Sequence, residues 1–141
     1  MSPSLLASTI DCTSLEAHAT LEDVQHACDK AIDAGFASVC VNGIYLKRVV
    51  EWLAGAKPNV AACGVAGFPL GAMKPTVKAI EATSLVKDGA HAIDFVAHLP
   101  HVMALNHAAV MEDFLRVTTS VRSVSREIGV KVIVESAALM A

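Results

Sequence analysis

The stretch Ala90-His-Ala-Ile-Asp-Phe-Val-Ala97 decides the fold. Ile93, Phe95 and Val96 are strand formers, and small alanines surround them. The segment reads as a buried strand with one carboxylate, Asp94, in its middle. A lone aspartate in an apolar strand is costly unless it is hydrogen-bonded, paired or turned toward a polar cavity. Two readings follow. Asp94 is a structural residue held by a lysine or a backbone N–H, or it is a catalytic carboxylate lining a barrel or sheet pocket.

The segments on either side repeat one pattern. Upstream, a helix with Val77, Ile80, Leu85 and Val86 starts at Pro75 and stops at Gly89. Before it lies the irregular loop Gly67-Phe-Pro-Leu-Gly71. Asn59–Val65 and Phe36–Val41 read as strands, and Ile44–Ala54 as a helix ending at Gly55. Thr20-x-x-Asp23 has capping-box spacing and opens a helix carrying Leu21, Val24, Cys28, Ala31 and Ile32, with Gly35 past its end. Ala7–Asp11 is the first strand candidate. Downstream of Asp94, Val110, Phe114, Val117, Val121, Val124 and Ile128 recur at helical spacing from near Leu105 until Gly129. Val130–Glu135 is a fifth strand.

Four strand–helix units and a last strand define a parallel α/β sheet covered by helices. An open doubly wound sheet and part of a (β/α)₈ barrel both satisfy this order. A phosphate-binding glycine fingerprint for the open sheet is missing.

The composition narrows the classes of function. The 141 residues are 54% hydrophobic with a formal net charge of -3, and they hold no basic cluster, which gives nucleic-acid binding no support. Charged residues interrupt every apolar run well short of the about 20 residues a membrane span needs. The N-terminus lacks the pattern of a secretory signal. Cys12, Cys28, Cys40 and Cys63 are scattered without a C-x-x-C pair. Reduced thiols and a cytoplasmic location are therefore expected.

In a parallel α/β fold, chemistry gathers at the C-terminal strand ends, where Asp11, Thr13, Asn42, Asp94 and Glu135 are expected. Lys131 lies inside the fifth strand. If it and Asp94 both point inward, they form a buried pair, either a structural ion pair or a device that tunes a lysine for amine chemistry. Cys40 and Cys63 read as small core residues. His98, His101 and His107 with Asp94 have no recognised ligand spacing, and no metal is expected.

Ile10-Asp-x-Thr13, Ala37-Ser-Val-Cys-Val-Asn42, Gly67-Phe-Pro-Leu-Gly71, Ile93-Asp-Phe-Val96 and Lys131-Val-Ile-Val-Glu135 stand in the order and spacing of the deoxyribose-phosphate aldolases. The sequence resembles this family over nearly its whole length. The resemblance implies one domain over 1–141, about five-eighths of a TIM barrel. It implies cleavage of 2-deoxyribose 5-phosphate to glyceraldehyde 3-phosphate and acetaldehyde through a lysine Schiff base, without metal or other cofactor. Asp94 would be the proton-shuttling carboxylate and Lys131 the lysine near the reacting centre. Thr13, Cys40 and Asn42 would lie at the substrate.

The family's imine-forming lysine sits on a sixth strand in a Lys-Thr-Ser-Thr-Gly segment, and loops of the last two strands hold the phosphate. Neither is found in this sequence. Cys12, Glu16-Ala17 and His98-Leu-Pro-His101 also depart from the family pattern. Two functions are therefore expected: an aldolase acting on a phosphorylated sugar or aldehyde, with a relocated imine at Lys131, or an incomplete barrel serving as a binding module or fragment. A neutral, buried Lys131 would suit the first. An open barrel edge is an association site, so a homo-oligomer is expected.

Overall fold

The computed structural model describes residues 2–140. A short helix α1 (Pro3–Ala7) precedes β1 (Asp11–Ser14), α2 (Leu21–Ala34), β2 (Ser38–Val41) and α3 (Gly43–Leu53). Then follow β3 (Ala61–Ala66), α4 (Pro75–Lys87), β4 (Ala92–Val96), α5 (Leu99–Met103), α6 (His107–Val124), β5 (Gly129–Ile133) and α7 (Ser136–Leu139). The strands are all parallel and run β1-β2-β3-β4-β5 across one sheet.

This simple sequential order selects the barrel-type solution over the doubly wound one, whose strand order reverses at a switch point. A side-chain contact adds the curvature. Lys131 Nζ on β5 donates to Asp11 Oδ2 on β1. In a flat sheet, four strand spacings of about 4.8 Å would part β1 from β5 by about 19 Å. No lysine spans that gap, so the sheet is rolled.

Strand side chains alternate between the two faces of the roll. Val39, Val41, Ala62, Ile93 and Phe95 turn outward and are buried under helices, with Val24, Leu46, Leu85, Val117 and Val121 from α2, α3, α4 and α6. Each large side chain so buried contributes about 1.5–3 kcal/mol. Phe95 also meets Phe114 edge-to-face at 5.4 Å. The inner face carries a smaller cluster of Cys40, Cys63 and Val65, against which Leu15, Phe68, Ala92 and Ile133 pack.

Three expectations change. Ala7–Asp11 is not a strand. Pro3 at the first turn and the Ser2 cap put Ala7 in α1, and β1 begins where that strand was expected to end. The stripe expected on α4 is also displaced. Val77 and Ile80 are exposed, and the buried face is Lys78, Ala79, Ala82, Leu85 and Val86. Finally, α6 stops at Val124, which is exposed, and Ile128 packs on the core from the connection. There Arg122 donates to the carbonyls of Arg126 and Ile128 at 2.6 Å each. The α2 stripe holds except for exposed Leu21, and both halves of its Thr20–Asp23 capping box form.

Candidate active site

The inner face gathers the polar residues of four strands. Asp94 and Lys131 are register partners on β4 and β5, and both point inward. Lys131 Nζ lies 3.2 Å from Asp94 Oδ1, close enough for an ion pair but without hydrogen-bond alignment. The same ammonium donates to Asp11 Oδ2, and Asp11 Oδ1 accepts from Ser38 Oγ at 2.6 Å. Cys40 Sγ lies 3.7 Å from Asp94 Oδ2. Cys40 and Cys63 are themselves register partners on β2 and β3.

Asp94 is buried, but the Lys131 side chain is 46% exposed. The pair is therefore a half-open bridge and not the buried pair anticipated. Burial alone would depress the Lys131 pKa. The hydrogen bond to Asp11 and the neighbouring charges outweigh it and hold the ammonium above the usual lysine range. The expected neutral nucleophile is thus corrected: two carboxylates keep Lys131 charged. Asp11 mirrors this. Burial would raise its pKa, and the hydrogen bonds from Lys131 and Ser38 pull it below the ordinary value. The Cys63 thiol is pushed up by its hydrogen bond with Cys40 and then by burial.

The remaining candidates sit further off. Thr13 is exposed on the inner face beside Cys40, and its hydroxyl donates to Asp11 O at 3.0 Å. Asn42 stands at the N-cap of α3 and donates from Nδ2 to Leu15 O at 3.3 Å, which ties the loop after β1 to the end of β2. Glu135 lies beyond β5, exposed, with φ 48°. Asp11 opens β1 instead of closing it. His98 and His101 rings meet at 4.1 Å. Asp94 does not join them as metal-capable ligands: among the described residues the group that gathers such atoms is Cys40, Cys63 and Asp94.

Two features around Asp94 were not read from the sequence. The first is the bond of Lys131 to Asp11, a residue expected at a strand end but not as a partner of the lysine; it lies on the same face as Thr13 by alternation once β1 starts at Asp11. The second is Lys78, fully buried, whose Nζ donates to Asp113 Oδ2 at 2.7 Å and Val96 O at 2.8 Å. Asp113 Oδ2 also accepts from His98 N at 3.3 Å, so the end of β4 is fixed to α4 and α6. The loop before α4 closes on the same place. Gly67 N donates to Glu81 Oε2 at 2.8 Å, and Gly71, at φ 62°, lies so close to the Ala97 carbonyl that a Cβ there would collide with it.

A sequentially ordered parallel sheet, rolled until its fifth strand reaches its first, is a segment of a (β/α) barrel, and its lysine and carboxylates line the barrel's inner face. Relatives narrow that class. Deoxyribose-phosphate aldolase of Clostridium kluyveri is 38% identical over 134 residues, covering 95% of this chain and 59% of its own length. The Deinococcus radiodurans enzyme of the same name is 39% identical over 131 residues, covering 93% and 57%. The tetrameric deoxyribose phosphate aldolase of Aeropyrum pernix superposes with a TM-score of 0.82 at 34% identity, covering 97% of this chain and 55% of that one. No family model matches the chain. The protein is a relative of the deoxyribose-phosphate aldolases and spans a little under three-fifths of the length of these curated relatives. Among the described residues no helix is long and apolar enough to cross a membrane.

Proposed function

We propose that this chain carries the proton-handling part of an aldolase site for 2-deoxyribose 5-phosphate. The observation that supports it is Lys131 bridging Asp94 and Asp11 across the inner face. In retro-aldol cleavage through an imine, a carboxylate takes the proton from the substrate hydroxyl as the carbon–carbon bond breaks, and returns it later to the carbon fragment. Asp94, beside an ammonium, suits that task. Lys131 would stabilise the developing charge and donate a proton, as an ammonium does. Thr13, Cys40 and Asn42 would border the substrate.

A second reading has its own support. Lys131 is the only lysine on a strand among the described residues, and its ammonium is engaged by two carboxylates. The chain on its own would then bind without forming an imine, a single-domain interaction module on a barrel scaffold. Borohydride reduction in the presence of acetaldehyde or deoxyribose 5-phosphate, followed by peptide mass mapping, separates the two. An adduct at Lys131 in the folded chain overturns the ammonium role given to it and supports a relocated imine. The absence of any adduct, with no binding of deoxyribose 5-phosphate by calorimetry, supports the module. Binding that is lost in Asp94→Asn, without an adduct at Lys131, supports the proton-handling site.

Association belongs to the same proposal. The β5 strand is paired on one side only, and Leu70, Val77 and Ile80 are exposed. A second copy would cover such surface, and a monomeric mass by light scattering would reject it.

A further inference from the structure

The inner face holds a set of metal-capable donors in which Cys63, a residue the aldolase reading leaves without a part, joins Cys40 and Asp94. Cys40 Sγ, Cys63 Sγ and a carboxylate oxygen of Asp94 all lie within 4.8 Å of one another, and all three residues are buried. We propose that Cys40, Cys63 and Asp94 form a binding site for a thiophilic d¹⁰ dication such as Zn²⁺.

The geometry is close to that of an occupied site. Zinc takes thiolate sulfur at about 2.3 Å and carboxylate oxygen at about 2.1 Å, so a tetrahedral S···O edge is about 3.6 Å. Cys40 Sγ and Asp94 Oδ2 stand 3.7 Å apart before any cation enters. The strands already aim both thiols at one point, because Cys40 and Cys63 are register partners in a parallel ladder. The third ligand is not locked by hydrogen bonds: Asp94 Oδ1 is buried with no hydrogen-bond partner and faces only the Lys131 ammonium at 3.2 Å, while Oδ2 stands beside Cys40. Three protein ligands leave a fourth position open for water.

The charges balance as well. Each thiol loses its proton to solvent as it binds. Two thiolates, one carboxylate, the dication and the Lys131 ammonium then sum to zero. Lys131 Nζ stands 3.2 Å from Asp94 Oδ1, so its ammonium competes with the cation for the carboxylate. The cation draws Asp94 away from it and leaves the ammonium to Asp11. Occupancy would therefore remove Asp94 from proton transfer. This inference shares Asp94 and Cys40 with the aldolase reading but does not depend on an imine.

Cadmium titration of the full chain, kept reduced with a phosphine, tests it through the ultraviolet thiolate-to-cadmium absorption. The expected result is saturation at one cation per chain, reversed by Zn²⁺. A Cys12→Ser/Cys28→Ser variant keeps the band in full. Cys40→Ser and Cys63→Ser each lose at least half of it, and Asp94→Asn weakens binding about tenfold or more. Lys131→Met tightens binding. The proposal is overturned if the folded Cys12→Ser/Cys28→Ser variant shows no band, or if the band survives loss of both Cys40 and Cys63. The first variant decides the matter even if the inner-face thiol variants fail to fold. Borohydride trapping is done on metal-free protein, so either reading can fail without the other.

Discussion

Replacing Asp113 by asparagine tests whether the Lys78 pair holds the fourth strand. The Lys78 side chain has no exposed surface and that of Asp113 is 3% exposed, with 2.7 Å between the charged atoms. Asparagine keeps the shape and removes the negative charge. An ammonium is then left in a dry interior with only the Val96 carbonyl and an amide oxygen for company. Breaking a buried pair in this way costs about 3–5 kcal/mol. That is a large share of the about 5–15 kcal/mol that holds a domain folded. With a urea m-value of about 2 kcal/mol/M, a loss of about 4 kcal/mol lowers the midpoint by about 2 M.

The assay is urea unfolding followed by circular dichroism, with a second variant alongside. Lys78→Met/Asp113→Leu removes both charges together and restores apolar volume. It forfeits the hydrogen bonds to Val96 O and from His98 N, at about 1 kcal/mol each. The double variant should therefore lie within about 2 kcal/mol of the parent and well above Asp113→Asn. A cost below about 1 kcal/mol for Asp113→Asn would refute the reasoning. So would a double variant as unstable as the single one, since the loss would then not arise from an uncompensated charge.

Two further outcomes are expected. Asp11 has a folded pKa below its ordinary value, so its share of stability is present above about pH 4 and is lost as pH falls through the folded value. In metal-free protein, Asp11→Asn should flatten the acid side of a melting-temperature profile and leave its shape near neutrality unchanged; an identical acid slope would count against the Asp11–Lys131 bridge. Gly71→Ala should be far more costly than Gly55→Ala. Both glycines have positive φ, but only the Cβ at position 71 meets a backbone carbonyl, that of Ala97. Gly55→Ala should cost about 1 kcal/mol and Gly71→Ala clearly more, as read by thermal melts.

Most of the fold was legible because helices and strands announce themselves over short ranges. Glycines after α2 and α4, the Thr20 box and the Ile93–Val96 run placed their elements within a few residues. The failures share one cause. Ala7–Asp11 looked like a strand by composition, but Pro3 and Ser2 cap a helical turn there. Val77 and Ile80 looked like the buried stripe of α4 because they are apolar, whereas the core takes Lys78, in line with Ala82 and Leu85. A lysine enters a core only with a partner, and its partner Asp113 lies 35 residues away. The pairing of Asp94 with Lys131 was readable, since β4 and β5 are adjacent and both residues sit mid-strand. Asp11 was not, because it meets Lys131 across 120 residues.

That long contact also changes what the site can do. The roll that makes the sheet a barrel segment is the same feature that brings Asp11 onto Lys131. A flat sheet would have left Lys131 facing Asp94 alone at an apolar surface, where burial favours a neutral amine. The rolled sheet supplies a second carboxylate and solvent access, and both favour the ammonium. An amine must give up its proton before it attacks a carbonyl. Lys131 in this setting is therefore suited to polarise and to donate. Chemistry through an imine would require either the displacement of Asp11 or an amine from another segment. Asp11→Asn makes this distinction measurable: it loosens the ammonium, so trapping at Lys131 should rise in that variant if Lys131 has any capacity to form an imine.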